Sequence, residues 1–245
     1  MNVDPRWFET FFDTDEWLLL ATTRDAARTD AEASFVASQL PEGARVLDLA
    51  CGTGRIAVPL AARGFDVSGL DISSRALAVA REALPDADLR QGDMRDLPWP
   101  DASFDAVVNL WTAFGYFETQ EEDERALAEI ARVLRPGGRF VLDTANAIGL
   151  MRIFRPQGWQ ELEDGTLFLE NRALDVASGR MSAHWTFVKD GHRTELAFEH
   201  RLYTAAEYGE LFRRAGLVPV GWFGDFDGGP LTIDTFRLVL VGERV

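Results

Sequence analysis

Between residues 45 and 143 short apolar runs alternate with stretches of helical periodicity. RVLDLA (45–50), FDVSGL (65–70), ADLRQ (87–91), FDAVVNL (104–110) and GRFVLDT (138–144) read as successive strands. The first, fourth and fifth are almost continuously apolar, the pattern of parallel strands covered on both faces. The segments TGRIAVPLAARG, SSRALAVAREAL and TQEEDERALAEIARVL carry helical spacing between them. The last opens with Thr119 and Glu122 in capping-box spacing and stops before Pro136-Gly137-Gly138. Repeated strand–helix–strand units imply right-handed crossovers and an α/β, doubly wound, mostly parallel sheet. Pro59 falls inside the first of these helices, where it kinks or weakens the helix unless it lies in the first turn.

After about residue 157 the period changes from helical to alternating. Asp164-Gly165, Ser178-Gly179 and Asp190-Gly191 separate WQELE, TLFLENRAL, RMSAHWTFVK and TELAFEHRLY, which is a meander of hairpins. Thr204 and Glu207 then form a second capping box, and the helix they open ends at Gly216. LVPVGWFG and TFRLVLVG follow as a closing pair, and a link so short can only join antiparallel neighbours. The chain thus divides into residues 1–157, an antiparallel β insertion at 158–203, and a closing helix and strands at 204–245. Ahead of the first strand, Trp7, Phe8, Phe11, Phe12, Trp17 and Leu18 to Leu20 form an apolar amphipathic segment. It packs as a helix on the body of the fold or closes as a lid over a ligand, and both uses need the same residues.

Composition narrows the function classes. With 25 Lys plus Arg against 40 Asp plus Glu, the chain carries a net charge of −15. A field of that sign repels phosphate backbones and anionic lipid headgroups, so neither nucleic acid nor a membrane is expected as partner. A small-molecule substrate is expected; oligomeric state is not legible. Cys51 is the single cysteine, and the three histidines, 184, 192 and 200, have no metal-binding spacing, so no metal is expected. MNVDPRWFETFF lacks the features of a signal peptide, and no run approaches 18 apolar residues, which makes a cytoplasmic protein the expectation.

The candidate chemistry centres on VLDLACGTGRIA (46–57). Gly52 and Gly54 let the backbone turn tightly after the first strand and approach a ligand without a Cβ in the way. The same residues also satisfy the dinucleotide pattern G-x-G-x-x-[GA], so a nicotinamide enzyme stays open at this point. Asp71, at the end of the second strand, suits the hydroxyls of a ribose in either case. Asp48, inside the first strand, sits badly with a pyrophosphate but tolerates a cationic or zwitterionic group. In QGDMRDLPW (91–99), Asp93 and Met94 are placed to meet an adenine edge and face, or simply form a strand exit.

Taken together, VLDLACGTG, GLDIS, GDMRDLP, FDAVVNLWTAFGYF and LRPGGRFVLD resemble the class I S-adenosylmethionine-dependent methyltransferases, over about 40–145 and again 204–241. The resemblance implies a three-layer, Rossmann-like, seven-stranded sheet of order 3-2-1-4-5-7-6 with its last strand antiparallel. It implies S-adenosylmethionine as cofactor, bound by the 1–157 part, with the 158–203 insertion resembling the cap of small-molecule members. Ala50, Gly52, Thr53 and Gly54 would border its methionine part, with Asp48 supporting the loop and the charged end. Asp71 would hold the ribose, Ile72 the adenine, Asp93 and Met94 its far side, and Asn109 and Leu110 would lie beside the cofactor.

Methyl transfer from a sulfonium is an in-line displacement, so the protein must align nucleophile, methyl and sulfur and exclude water. An amine, hydroxyl or carboxylate must arrive unprotonated or meet a base. Tyr116, in the loop after the fourth strand, is one candidate, with packing against Phe114 and Phe117 as its plain alternative. His200 is the other; it alternates onto the side of Leu196, Phe198 and Leu202, where a core role is the plain alternative. His184 alternates onto the polar side and His192 sits beside a turn, both readings of solvated residues. Arg28 is a weaker candidate for holding a carboxylate-bearing substrate. A nicotinamide oxidoreductase and a non-catalytic cofactor-binding protein are the competing functions.

Overall fold

The computed structural model describes residues 3–22 and 25–245; residues 1, 2, 23 and 24, which the 1–157 division includes, lie outside the described residues. The strands of the α/β core are β1 (Arg45–Leu49), β2 (Asp66–Asp71), β3 (Asp88–Gln91), β4 (Phe104–Asn109) and β5 (Leu134–Ala145). The second sheet holds β6 (Gln157–Glu161), β7 (Leu167–Asp175), β8 (Arg180–Lys189) and β9 (His192–Arg201), and β10 (Leu217–Phe223) and β11 (Arg237–Arg244) close the first. The main sheet has the order β10-β11-β5-β4-β1-β2-β3. β11 runs antiparallel to both β5 and β10, while β1 to β5 pair in parallel. This is the expected seven-stranded order, with the insertion folded as a separate four-stranded antiparallel sheet, β6-β7-β8-β9.

The helices are α1 (Phe8–Phe11), α2 (Asp15–Thr22), α3 (Ala26–Ser38), α4 (Ala57–Ala62), α5 (Ser74–Ala83), α6 (Gln120–Val133), α7 (Ala147–Ile153) and α8 (Ala205–Arg214). Alternation along the buried strands sorts the core into two layers. Leu47, Leu49, Val107, Phe140 and Leu240 face Leu127 and Ile130 of α6 and Leu211 and Phe212 of α8. Val46, Ala106, Val108, Val141 and Val239 face Phe35 and Val36 of α3 and Leu60 of α4. Both expected capping boxes form, at Thr119–Glu122 and Thr204–Glu207; each N-cap contributes roughly 0.5–2 kcal/mol.

Two boundaries differ from the sequence reading. α4 starts at Ala57 rather than at Thr53, because residues 52–56 are spent on the loop turns. Pro59 therefore falls in the first turn, where a missing N–H costs little, and no kink is needed. β5 starts at Leu134 and carries Pro136-Gly137-Gly138 inside it as an irregularity between the Phe104 and Ala106 pairings, not as a turn ahead of the strand.

The aromatic amino terminus forms two short helices, not one. Trp7, Phe8, Phe11 and Trp17 are buried in the main core cluster. Their rings pack against the inner face of the second sheet: Trp7 meets Phe198 at 5.6 Å and Phe11 meets Trp185 at 5.6 Å between centroids. The second sheet is also tied to the core, since the Arg201 N–H donates to Gly115 O at 2.7 Å.

Candidate active site

The carboxyl ends of β1, β2, β4 and β5 open onto one side of the sheet, the position at which open α/β folds bind ligands. There β1 runs into the loop Ala50–Arg55. Ala50, Gly52 and Gly54 all have left-handed backbones, with φ of 60°, 54° and 83°. At Gly54 a Cβ would meet the Ala80 Cβ at 3.3 Å, so the glycine also allows the loop to lie against α5.

Asp71 organises this loop. Its Oδ2 accepts the Gly52 N–H at 2.7 Å and its Oδ1 accepts the Ser73 N–H at 2.8 Å. Burial pushes the Asp71 carboxyl up to about 6, against the lowering effect of those two N–H groups. Asp48 lies nearby, almost fully buried, with no hydrogen-bond partner on Oδ2. Burial pushes it up to about 7, with Arg55 opposing and Asp71 adding to the rise. Arg55 in turn pairs with Glu32 of α3 and lies over the Trp111 ring at 5.9 Å.

A cavity of about 350 Å³ opens at this end of the sheet. Ala50, Asp71, Ile72, Asp93, Met94 and Leu110 line it, so these expected residues are brought together. Asp48, Gly52, Thr53, Gly54 and Asn109 do not line it. A Cβ on Gly52 would meet the Trp17 ring at 3.5 Å, which shows α2 covering the loop. Thr53 is half-buried between the glycines. Asn109 ties two strand ends together, donating from Nδ2 to Leu49 O at 2.9 Å, while its Oδ1 is buried without a partner. Asp93 is less free than its place after β3 suggests, because Arg95 grips it at 2.6 Å while stacking over Phe117 at 4.2 Å.

The other end of the cavity is aromatic. Trp7, Phe12, Tyr116, Trp185, Phe198 and His200 contribute there. Tyr116 packs against the main core cluster, which includes Phe114 and Phe117, and also lines the cavity. Its ring lies 5.0 Å from Trp7 and 6.4 Å from His200. Burial raises its hydroxyl pKa further, so it stays protonated at neutral pH. His200 is buried with neither ring nitrogen bonded, stacked at 6.0 Å on Phe198. Burial, helped by Arg180, pulls it down to about 4, so the ring is neutral at pH 7.

His192 is exposed as expected, but His184 is half-buried, its Nε2 enclosed in a polar hollow with Arg172 and Glu195. The strand turns His184 outward, and the side chains of neighbouring strands fill in around it. Arg28 is engaged by Glu32 and Asp225 and does not line the cavity. Among the described residues, no group of three or more His, Cys, Asp or Glu could hold a metal, and no helix is long and apolar enough to cross a membrane.

Sequence reasoning missed three features. The first is a tie between the amino terminus and α5, in which the Ser73 hydroxyl donates to Asp13 at 2.6 Å and Arg75 donates to Asp13 O at 2.6 Å. The second is a pair of left-handed residues on the cavity wall, Trp111 (φ 63°) and Thr112 (φ 60°). Each such backbone costs on the order of 1–3 kcal/mol, and a β-branched residue is a clear outlier there. The third is the buried ion pair Asp143–Arg237. Its signal was present in the chain: an aspartate inside the apolar run GRFVLDT and an arginine at the head of RLVLVG, two strands that pair.

A methyltransferase-domain family profile matches residues 47–142. The chain is 34% identical over 201 residues, 78% of its length and 83% of the relative's, to dTDP-3-amino-3,4,6-trideoxy-alpha-D-glucopyranose N,N-dimethyltransferase of Streptomyces venezuelae. The chain is an S-adenosylmethionine-dependent methyltransferase. Among solved structures, the methyltransferase superposes on the CcbJ methyltransferase from Streptomyces caelestis with a TM-score of 0.85 and 26% identity, over 97% of this chain and 98% of the other. Calicheamicin-pathway CalS10 from Micromonospora echinaspora, an amino pentose methyltransferase solved with S-adenosylmethionine bound, matches at 0.70 and 26%, over 94% and 96%. Neither competing function gains support from these likenesses. The site of this methyltransferase also fits the cofactor chemically: the Asp71 carboxylate gives an acceptor on the cavity lining beside the loop, with the buried, unpartnered Asp48 Oδ2 nearby, for a ligand with hydroxyl donors and positive charge.

Proposed function

We propose that this methyltransferase transfers a methyl group to an amine of a small molecule, held in the aromatic end of the cavity. When bound, the cofactor supplies a methyl on a positively charged sulfur. Ala50, Asp71, Ile72, Asp93, Met94 and Leu110 would hold it, with Asp71 taking the ribose and the Gly52–Gly54 loop and Asp48 supporting its charged end. The amino-terminal helices and the β6–β9 sheet, residues 158–203, serve as lid and cap. A cytoplasmic setting accords with the single, buried Cys51.

The observation that carries the amine reading is the pairing of an aromatic wall with weak bases. Attack by a neutral amine builds positive charge on nitrogen, which the faces of Trp7, Tyr116, Trp185 and Phe198 stabilise. An apolar pocket also disfavours the ammonium form of the incoming amine and so delivers it ready to react. A hydroxyl acceptor would need its proton removed. Here the candidate bases are a tyrosine held protonated and a histidine pulled down to about 4. His200 instead accepts a hydrogen bond from the acceptor's N–H and orients its lone pair.

Two similar proteins support the reading through their names, one an aminodeoxysugar N,N-dimethyltransferase and the other an amino pentose methyltransferase. The test is formation of S-adenosylhomocysteine with a panel of amino sugars and their hydroxyl counterparts. Turnover of amines at least 100-fold above the matched alcohols is expected, and equal or better turnover of the alcohols overturns the assignment.

A further inference from the structure

The cavity wall that follows β4 is held in a conformation its own residues disfavour. Trp111 and Thr112 are both left-handed, and neither is glycine. Isolated chains of these residues would leave that region, so the fold must impose it.

The restraint comes from β5 and β11. The Trp111 N–H donates to Asp143 Oδ2 at 2.8 Å, and the Thr112 N–H donates to Asp143 O at 3.0 Å. Asp143 itself is gripped by Arg237, whose Nε donates to Oδ1 at 2.7 Å and whose Nη2 pairs with Oδ2. Arg237 Nη1 reaches the Thr112 hydroxyl at 3.4 Å. Both charged side chains are nearly buried. A buried pair of this kind is a weak source of stability compared with apolar packing, but its geometry is demanding. From the opposite side, Arg55 lies over the Trp111 ring.

We infer that Asp143 and Arg237 are positioning residues for methyl transfer, locking the Leu110–Ala113 wall in its left-handed form against the cofactor end of the cavity. Leu110, Trp111, Thr112 and Ala113 line the same cavity as Ala50 and Asp71, so a wall that relaxed toward ordinary backbone angles would change the shape of that end. The pair sits outside the glycine loop and the ribose side, and Arg237 also lines the cavity beside the wall it holds. The inference rests on the cofactor occupying the Ala50–Asp71 end.

The test uses S-adenosylhomocysteine as the probe, with titration calorimetry and amide hydrogen exchange of the 110–113 segment. Asp143→Asn keeps the size but cannot serve the Trp111 N–H and the Arg237 fork together. It is expected to speed exchange of that segment at least tenfold and to weaken binding at least tenfold. Adding Thr112→Gly removes the penalty on a left-handed backbone and is expected to bring binding back to within threefold of the wild type. A fold-stabilising role alone would not be rescued in this way. Unchanged exchange with binding within threefold of wild type in Asp143→Asn overturns the inference, as does a double variant that binds no better than the single. If Asp143→Asn does not fold, Arg237→Lys, which keeps the charge but not the fork, carries the same comparison with and without Thr112→Gly. A wild-type protein that does not bind the probe overturns the cofactor placement instead.

Discussion

The carboxylate of Asp71 joins Gly52 to Ser73, accepting one N–H from each at 2.7 and 2.8 Å. The same side chain that faces the cavity is therefore the strut between the glycine loop and the start of α5. Both oxygens keep a second lone pair for a ligand.

Asp71→Asn follows from that double duty. An asparagine can accept at one position and must present a donor at the other, so either Gly52 or Ser73 loses its partner. Loss of hydrogen bonds to a charged group costs about 1.5–3 kcal/mol, so S-adenosylhomocysteine should bind roughly 10- to 150-fold more weakly. The melting temperature should also fall, because the loop is no longer pinned. Calorimetry and thermal melts measure both. Binding within threefold of wild type would show that Asp71 does not hold the ribose.

The amino terminus is better probed by point variants than by deletion. Trp7, Phe8, Phe11 and Trp17 are core residues, so truncation would unfold what it is meant to test. Asp13 is different: it is half-buried and latches α1–α2 to Ser73 and Arg75. Asp13→Ala should raise the dissociation rate of S-adenosylhomocysteine about 5- to 30-fold, the equivalent of about 1–2 kcal/mol, while Asp13→Asn, which still accepts from Ser73, does less. Stopped-flow displacement reads both, and equal rates for all three proteins would remove the latch.

His200 and Tyr116 face one another across the aromatic end but should not behave alike. His200→Ala removes the only neutral imidazole in the cavity lining among the described residues. It should lower kcat with an amine acceptor by about 10²-fold, the scale of loss when a reacting group is misplaced, with S-adenosylhomocysteine affinity within threefold. Tyr116→Phe keeps the ring that closes the wall against Trp7 and should cost less than tenfold. A larger loss at Tyr116 than at His200 would reverse the roles.

The sheet order and the glycine loop were legible because local patterns specify them: apolar runs, capping boxes and turn dipeptides each act within a few residues. Asp48, Asp71 and Met94 were placed by topology, since strand ends in a parallel sheet converge, and Leu110 by the family resemblance. What stayed hidden depends on contacts between distant segments. Nothing near Asp143 in sequence says that Arg237 will meet it, and nothing near Ser73 points to Asp13. The left-handed backbone at Trp111 and Thr112 runs against local preference, so only the assembled fold could reveal it. The half-burial of His184 arises in the same way, from neighbouring strands rather than from its own alternation.

Cofactor affinity should depend on pH through Asp48 and Asp71. Their folded values of about 7 and about 6 lie above the ordinary carboxylate range, because burial favours the protonated acids. Such groups bind more protons in the folded than in the unfolded chain, so the stability they contribute to the free protein is fullest in acid and is lost as pH rises through 6 to 7. Arg55, which faces Asp48, and the N–H groups of Gly52 and Ser73 limit that rise, while Asp13 adds to it at Asp71. A ligand with ribose hydroxyls and a positive centre favours the carboxylate forms, so its binding must expel protons wherever the free site holds them. For one group near 6, affinity should fall about tenfold between pH 7.5 and pH 5, and further if Asp48 takes part. Calorimetry of S-adenosylmethionine at pH 6.5 in two buffers of different ionisation enthalpy should show net proton release, and Asp71→Asn should reduce it. Proton uptake, or affinity independent of pH from 5 to 8, would mean that these carboxyls do not face the bound cofactor.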